Sequence, residues 1–106
     1  MLINQDGAKE VLKCTGPAVG AASRADYGIM EVVIEPGDTL FAYTDGLTDT
    51  ANPAGEYYDE KGLIPLFAGD QTLFSLLAHI QKQIESYTTG ARQFDDITML
   101  AVRRLR

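Results

Sequence analysis

Two short acidic segments hold the residues best suited to chemistry. The first is Asp45-Gly46, which stops the apolar run from Leu40 to Tyr43. The second is Asp95-Asp96, which precedes the apolar run from Ile97 to Val102. Uncharged runs of β-prone residues predict buried strands. Asp45 therefore stands at the end of a strand, and Asp95 and Asp96 at the start of another. A carboxylate on a rigid element beside a loop can hold a metal ion or orient a water. Gly46 lets the backbone turn away with no side chain in its path. Either segment alone also fits a plain turn, with an Asp capping its own backbone and the other charges solvated. If the two strands lie side by side and antiparallel, the acidic tips meet. Converging carboxylates repel unless a proton or a cation sits between them. Oxygen donors without His or Cys favour Mg2+ or Mn2+. Such ions polarise a phosphoryl oxygen and acidify bound water.

The other reactive side chains assemble nothing comparable. Cys14 is the single cysteine, which excludes an internal disulfide and a thiolate metal cluster. The single histidine, His79, falls off the apolar stripe of a predicted helix and reads as exposed and idle. Residues 16–22 are small and glycine-rich, but they lack the lysine and Ser/Thr ending of a phosphate-binding loop.

The elements that must position the acidic tips follow from pattern. The 106 residues suffice for one domain with a modest core, and 45% hydrophobic content marks a globular chain. Strands are predicted at residues 1–4 and 9–14, joined by a hairpin turn at Gln5-Asp6-Gly7. Further strands are predicted at 27–35, 39–44 and 97–102. Pro36-Gly37-Asp38 is a tight turn, which pairs 27–35 with 39–44 if it closes a hairpin. The unbroken apolarity of 97–102 predicts a central strand. Tyr57 and Tyr58 anchor a polar loop, and a short helix follows over 59–67. Leu73, Leu76, Leu77, Ile80 and Ile84 recur at helical spacing and predict a helix over 72–87. Asp70 is its expected N-cap, and Gly90 ends it. Arg103, Arg104 and Arg106 read as a solvated end.

A net charge of −6 argues against nucleic-acid and anionic-membrane surfaces. No apolar run approaches spanning length, and residues 1–4 do not open a signal peptide. A cytoplasmic location is the economical expectation.

Residues 40–49, the segment Asn52-Pro53-Ala54-Gly55-Glu56, and Asp95-Asp96-Ile97-Thr98-Met99-Leu100 resemble the metal-dependent protein phosphatases of the type 2C superfamily. The likeness is greatest to the bacterial branch of sigma-factor-regulating and sporulation serine phosphatases. It runs from about Leu2 to Arg104. The resemblance implies an α+β fold: an antiparallel β-sheet with packed helices, part of an αββα sandwich. It implies two Mg2+ or Mn2+ ions in a complete site, and water attacking the phosphorus of phosphoserine or phosphothreonine without a phosphoenzyme. Asp45 and Asp95 match metal ligands. Gly46 and Asp96 stand beside them, Asp96 where other branches carry Asn. Substrates of this branch are phosphorylated anti-anti-sigma-factor proteins. The family's domain is about twice this long, and its N-terminal half carries another Asp-Gly motif, which Asp6-Gly7 does not match. Residues 1–106 are therefore expected to be the C-terminal part of such a domain. Alone they would hold one ion or none and turn over weakly or not at all, and they could form homo-oligomers through exposed sheet edges. The alternative is a non-catalytic interaction module derived from a phosphatase half.

Overall fold

Strand β3 (Thr39–Tyr43) is paired along both of its edges, and the other elements take their positions from it. The computed structural model describes residues 1–90 and 96–106. Strand β1 (Leu2–Asn4) lies on one side of β3, with Leu2 opposite Leu40 and Ile3 opposite Thr39. Strand β4 (Met99–Arg103) lies on the other side, in unbroken register from Thr39 opposite Arg103 to Tyr43 opposite Met99. Strand β2 (Gly7–Glu10) pairs with the outer edge of β1. The sheet order is β2-β1-β3-β4, and every pairing is antiparallel.

Side chains alternate across a strand, so one face of this sheet carries Ile3, Thr39, Phe41, Tyr43, Met99 and Ala101. That face builds the core. Phe41 is completely buried and meets Phe67 edge-on, with ring centroids 5.2 Å apart. Helices α1 (Asp45–Thr48), α2 (Asp59–Leu63) and α3 (Leu73–Tyr87) cover it, together with a 3-10 turn at Ile64–Phe67. Helix α3 contributes Leu76, Ile80 and Ile84, which recur every four residues and are buried. The result is the α+β architecture expected, with helices on one face of an antiparallel sheet.

The opposite face carries Leu2, Leu40, Ala42, Leu100 and Val102. Leu2 is buried, but Leu100 is 60% and Val102 52% exposed, so much of this apolar face is bare.

Four expectations need correction. Residues 27–35 form no strand, because β1 and β4 already occupy both edges of β3. The turn itself is real: the Asp38 N–H donates to Glu35 O at 2.9 Å, with Gly37 at φ 89°. Strand β2 ends at Glu10 and does not run to Cys14, because β1 offers too few residues to pair with. Strand β4 is an edge strand here, not a central one. Its apolar run reflects two faces, of which the helices cover one. Finally, Thr72 caps α3: its Oγ1 accepts from the Ser75 N–H at 3.1 Å. Asp70 lies two residues too early.

A part-buried ion pair braces the entry to β3. Lys9 Nζ lies 2.8 Å from Asp38 Oδ2 and 3.2 Å from Glu35 Oε2. Asp38 is buried and also accepts the Glu35 N–H at 3.0 Å. The hydrogen bond from Lys9 holds the Asp38 carboxyl below its usual range; burial opposes this, and the Glu35 N–H assists.

Two predictions follow from these contacts. Thr72→Ala should cost about 1 kcal/mol in denaturant unfolding, while Asp70→Ala should cost almost nothing; the reverse order would restore Asp70 as the cap. For the ion pair, a carboxyl depressed in the folded state stabilises fully above its unfolded value, near pH 4. That stability is lost as pH falls through the depressed folded value. Lys9→Met should therefore lower stability at neutral pH and flatten its decline in acid. An acid limb of unchanged steepness would show that Lys9 does not set the Asp38 proton affinity.

Candidate functional site

The chain leaves β3 at Thr44, and Thr44 is stitched to the segment that enters β4. Its N–H donates to Thr98 O at 3.0 Å, and its Oγ1 accepts from the Thr98 N–H at 3.1 Å. The same Oγ1 lies 3.5 Å from the carbonyl oxygen of Asp96. The end of one strand and the approach to the other therefore adjoin, as the antiparallel arrangement required.

Asp45 follows directly and is the first residue of α1. A carboxylate in the first turn complements the free N–H groups there. Leu47, fully buried, pins this short helix into the core, and the Asp49 N–H donates to Asp45 O at 2.8 Å. The Asp45 carboxylate faces solvent and has no hydrogen-bond or ion-pair partner among the described residues. Gly46 does not use the left-handed freedom of glycine. It continues the helix, is buried, and accepts the Thr50 hydroxyl on its carbonyl at 2.8 Å.

Asp96 is exposed and engaged with its surroundings. Asp95 lies outside the described residues. Among the described residues, no group of three or more His, Cys, Asp or Glu side chains is arranged to hold a metal ion. Asp45 thus has the chemistry of a hard-cation ligand, but the described residues do not complete a donor set around it.

Sequence reasoning missed the companions of Asp45. The Tyr43 hydroxyl donates to Glu60 Oε1 at 3.0 Å, and Lys13 Nζ pairs with Glu60 Oε2 at 3.1 Å. Burial is the main cause that pushes the Tyr43 phenol up to about 12. The hydrogen bond to Glu60 adds to it, as do the charges of Glu60, Asp45 and Asp59. These carboxylates therefore share one electrostatic neighbourhood at the tip of β3. Asp59 sits at φ 58°, a left-handed conformation that Asp tolerates better than most residues, and its Oδ1 accepts the Glu60 N–H at 2.7 Å. The Asp59-Glu60 dipeptide was the available signal, but nothing in sequence tied it to residue 43.

The loop between α1 and α2 is held by Tyr58 alone of the two tyrosines expected to anchor it. Tyr58 packs edge-on against Tyr87 at 5.0 Å, and Tyr87 donates to Glu56 O at 2.9 Å. Tyr57 is 69% exposed. Cys14 and His79 are both exposed, His79 on the outer side of α3.

The sequence profile of the family described as Stage II sporulation protein E (SpoIIE) matches residues 1–105. Protein IcfG of Synechocystis sp. (strain ATCC 27184 / PCC 6803 / Kazusa) is 38% identical over 104 residues. That match covers 97% of this chain and 16% of IcfG, so the chain spans a small part of the relative's length. No solved structure matches. Among the described residues, no helix is long and apolar enough to cross a membrane. The profile extends over every described element, from β1 through the Asp45-Gly46 tip to β4, and on that match the chain belongs to the SpoIIE family, whose phosphatase-related domains resemble the type 2C enzymes.

Proposed function

We propose that this chain is the C-terminal part of a metal-dependent serine/threonine phosphatase domain. Its substrate would be a phosphorylated regulatory protein of the anti-anti-sigma-factor type. One observation carries this reading: Asp45, exposed and without a side-chain partner among the described residues, stands at a strand tip that Thr44 ties to the approach to β4. Family membership supports it, because phosphatases of this kind generally depend on metal.

In this reading Asp45 and Asp95 hold a Mg2+ or Mn2+ ion, with Gly46 and Asp96 beside them, and further ligands come from the rest of the domain. Such an ion supplies a Lewis acid for the phosphoryl oxygen and a more acidic water. The chain's own residues set the position. Thr44 fixes the separation of the two strand tips, and buried Leu47 fixes the first turn that carries Asp45. The Tyr43–Glu60 bond keeps the strand tip from fraying. The Asp59 and Glu60 charges favour a cation nearby.

The bare sheet face supports the same reading. Leu40, Leu100 and Val102 need an apolar cover, which the remaining half of the domain would supply, or a second copy joined at the β4 edge. That face also favours the second reading, an interaction module without turnover.

The test is Mn2+-dependent hydrolysis of an aryl phosphate, by this chain and by the complete parental domain. The complete domain should turn over and this chain weakly or not at all. In the complete domain Asp45→Asn should lower turnover by more than about a hundredfold, beyond the loss typical of groups that merely support a metal ligand. Mn2+ at about a hundred times its Kd should stabilise the native domain by about 2.7 kcal/mol, and Asp45→Asn should remove that gain. Full activity in the variant would end the phosphatase assignment for Asp45. Binding of a regulatory protein by a domain that never turns over would favour the interaction module.

A further inference from the structure

The end of β3 opposite Asp45 carries a cavity of about 290 Å³. It lies roughly 20 Å from Asp45, taking six residues of extended strand. Its floor is apolar, formed by Ile3, Phe67 and Leu76. Its lining includes Arg103, Arg104 and Arg106 against two carboxylates, the side chain of Asp70 and the terminal group of Arg106, on a chain whose formal charge is −6. The three arginines were expected to be a solvated end. The fold instead draws them to one opening.

Arg103 and Arg104 are held by hydrogen bonds. Arg103 is half-buried; its Nε donates to Thr39 Oγ1 at 2.8 Å and its Nη1 to Gln71 O at 2.7 Å. Its Nη2 has no protein partner among the described residues. Arg104 donates from Nη1 to Ile34 O at 2.8 Å, and its backbone is clipped to the turn: Gly37 N–H to Arg104 O at 2.7 Å, Arg104 N–H to Asp38 O at 3.0 Å. Arg106 lies over Gly37, where a Cβ would come within 2.7 Å of its Nε. The neighbouring acids of the turn, Glu35 and Asp38, are engaged by Lys9. Three guanidinium groups against two carboxylates leave the lining with one positive charge in excess.

We propose that this cavity binds a dianionic phosphoryl group, as a small phosphate monoester or as inorganic phosphate. A planar guanidinium matches phosphate oxygens bidentately, and one already held, as that of Arg103 is, loses little entropy on binding. The net positive charge of the lining and the free Nη2 of Arg103 suit a phosphoryl anion, and the apolar residues suit the carbon skeleton of a small ester. The volume is near the lower end for small-molecule pockets, which excludes a large ligand.

The test is calorimetric titration of the 106-residue chain with inorganic phosphate and with glycerol phosphate, in EDTA and at ionic strength matched with NaCl. Saturable binding is expected, with Kd weakened at least tenfold in the double variant Arg104→Gln/Arg106→Gln. Both residues are exposed, so circular dichroism should confirm an unchanged fold. Asp45→Asn should bind as the parent does, which separates this cavity from any phosphate contact at the opposite strand tip. Tighter binding of the ester would identify a metabolite ligand; equal binding would identify free phosphate. No heat beyond the NaCl control, or an unchanged Kd in the double variant, would overturn the proposal.

Discussion

The double pairing of β3 is the constraint on which the other features rest. A strand with neighbours on both edges has its backbone polar groups satisfied and can bury a large side chain at its middle. Phe41 is that side chain, completely enclosed between Phe67 and the partly buried ring of Tyr43. The ladder reaches beyond the named strands: the Phe41 N–H donates to Met1 O at 2.8 Å, and Thr44 continues the bonding to Thr98. With both edges occupied, the segment before the Pro36-Gly37 turn cannot pair with β3 and stays outside the sheet. With both ends clamped, the residues that leave β3 do so at fixed places.

Those two ends have opposite electrical character. At the C-terminal end, burial raises the proton affinity of the Tyr43 hydroxyl, and the Glu60 hydrogen bond and the charges of Glu60, Asp45 and Asp59 add to it. At the N-terminal end, Arg103, Arg104 and Arg106 converge on a cavity closed by the Gly37 turn. The last residue of β4, Arg103, and the residues just after it bring these arginines to the lining of one cavity. The same register that sets Tyr43 opposite Met99 sets Thr39 opposite Arg103, so one strand alignment positions both ends.

The sheet is also asymmetric across its thickness. One face is sealed by α3, α2 and the 3-10 turn, while the other exposes Leu100 and Val102 at an unpaired edge. Burying such a face gains roughly 25 cal/mol per Å² of apolar surface removed from water. The chain by itself does not collect that gain over much of the face. In a domain of the SpoIIE family, further structure on this side would be stabilising on the same physical ground as the core.

The sequence by itself determined the local features. Helical spacing from Leu73 to Ile84 gave the position of α3 and its buried stripe. The apolar run before Asp45 gave β3 and its acidic tip, and Pro36-Gly37-Asp38 gave a turn whose glycine takes a positive φ. These depend on neighbours within a few residues, which the sequence displays directly. Tertiary structure decided the rest. It put β1 and β4, not residues 27–35, beside β3. It made β4 an edge, moved the α3 cap to Thr72, joined Tyr43 to Glu60, and laid Arg106 over Gly37 beside the cavity that Arg103 also lines. Each of these choices is settled by which distant segment reaches a given edge, oxygen or opening first, and a competition between distant segments leaves no mark on the spacing of residues within either one.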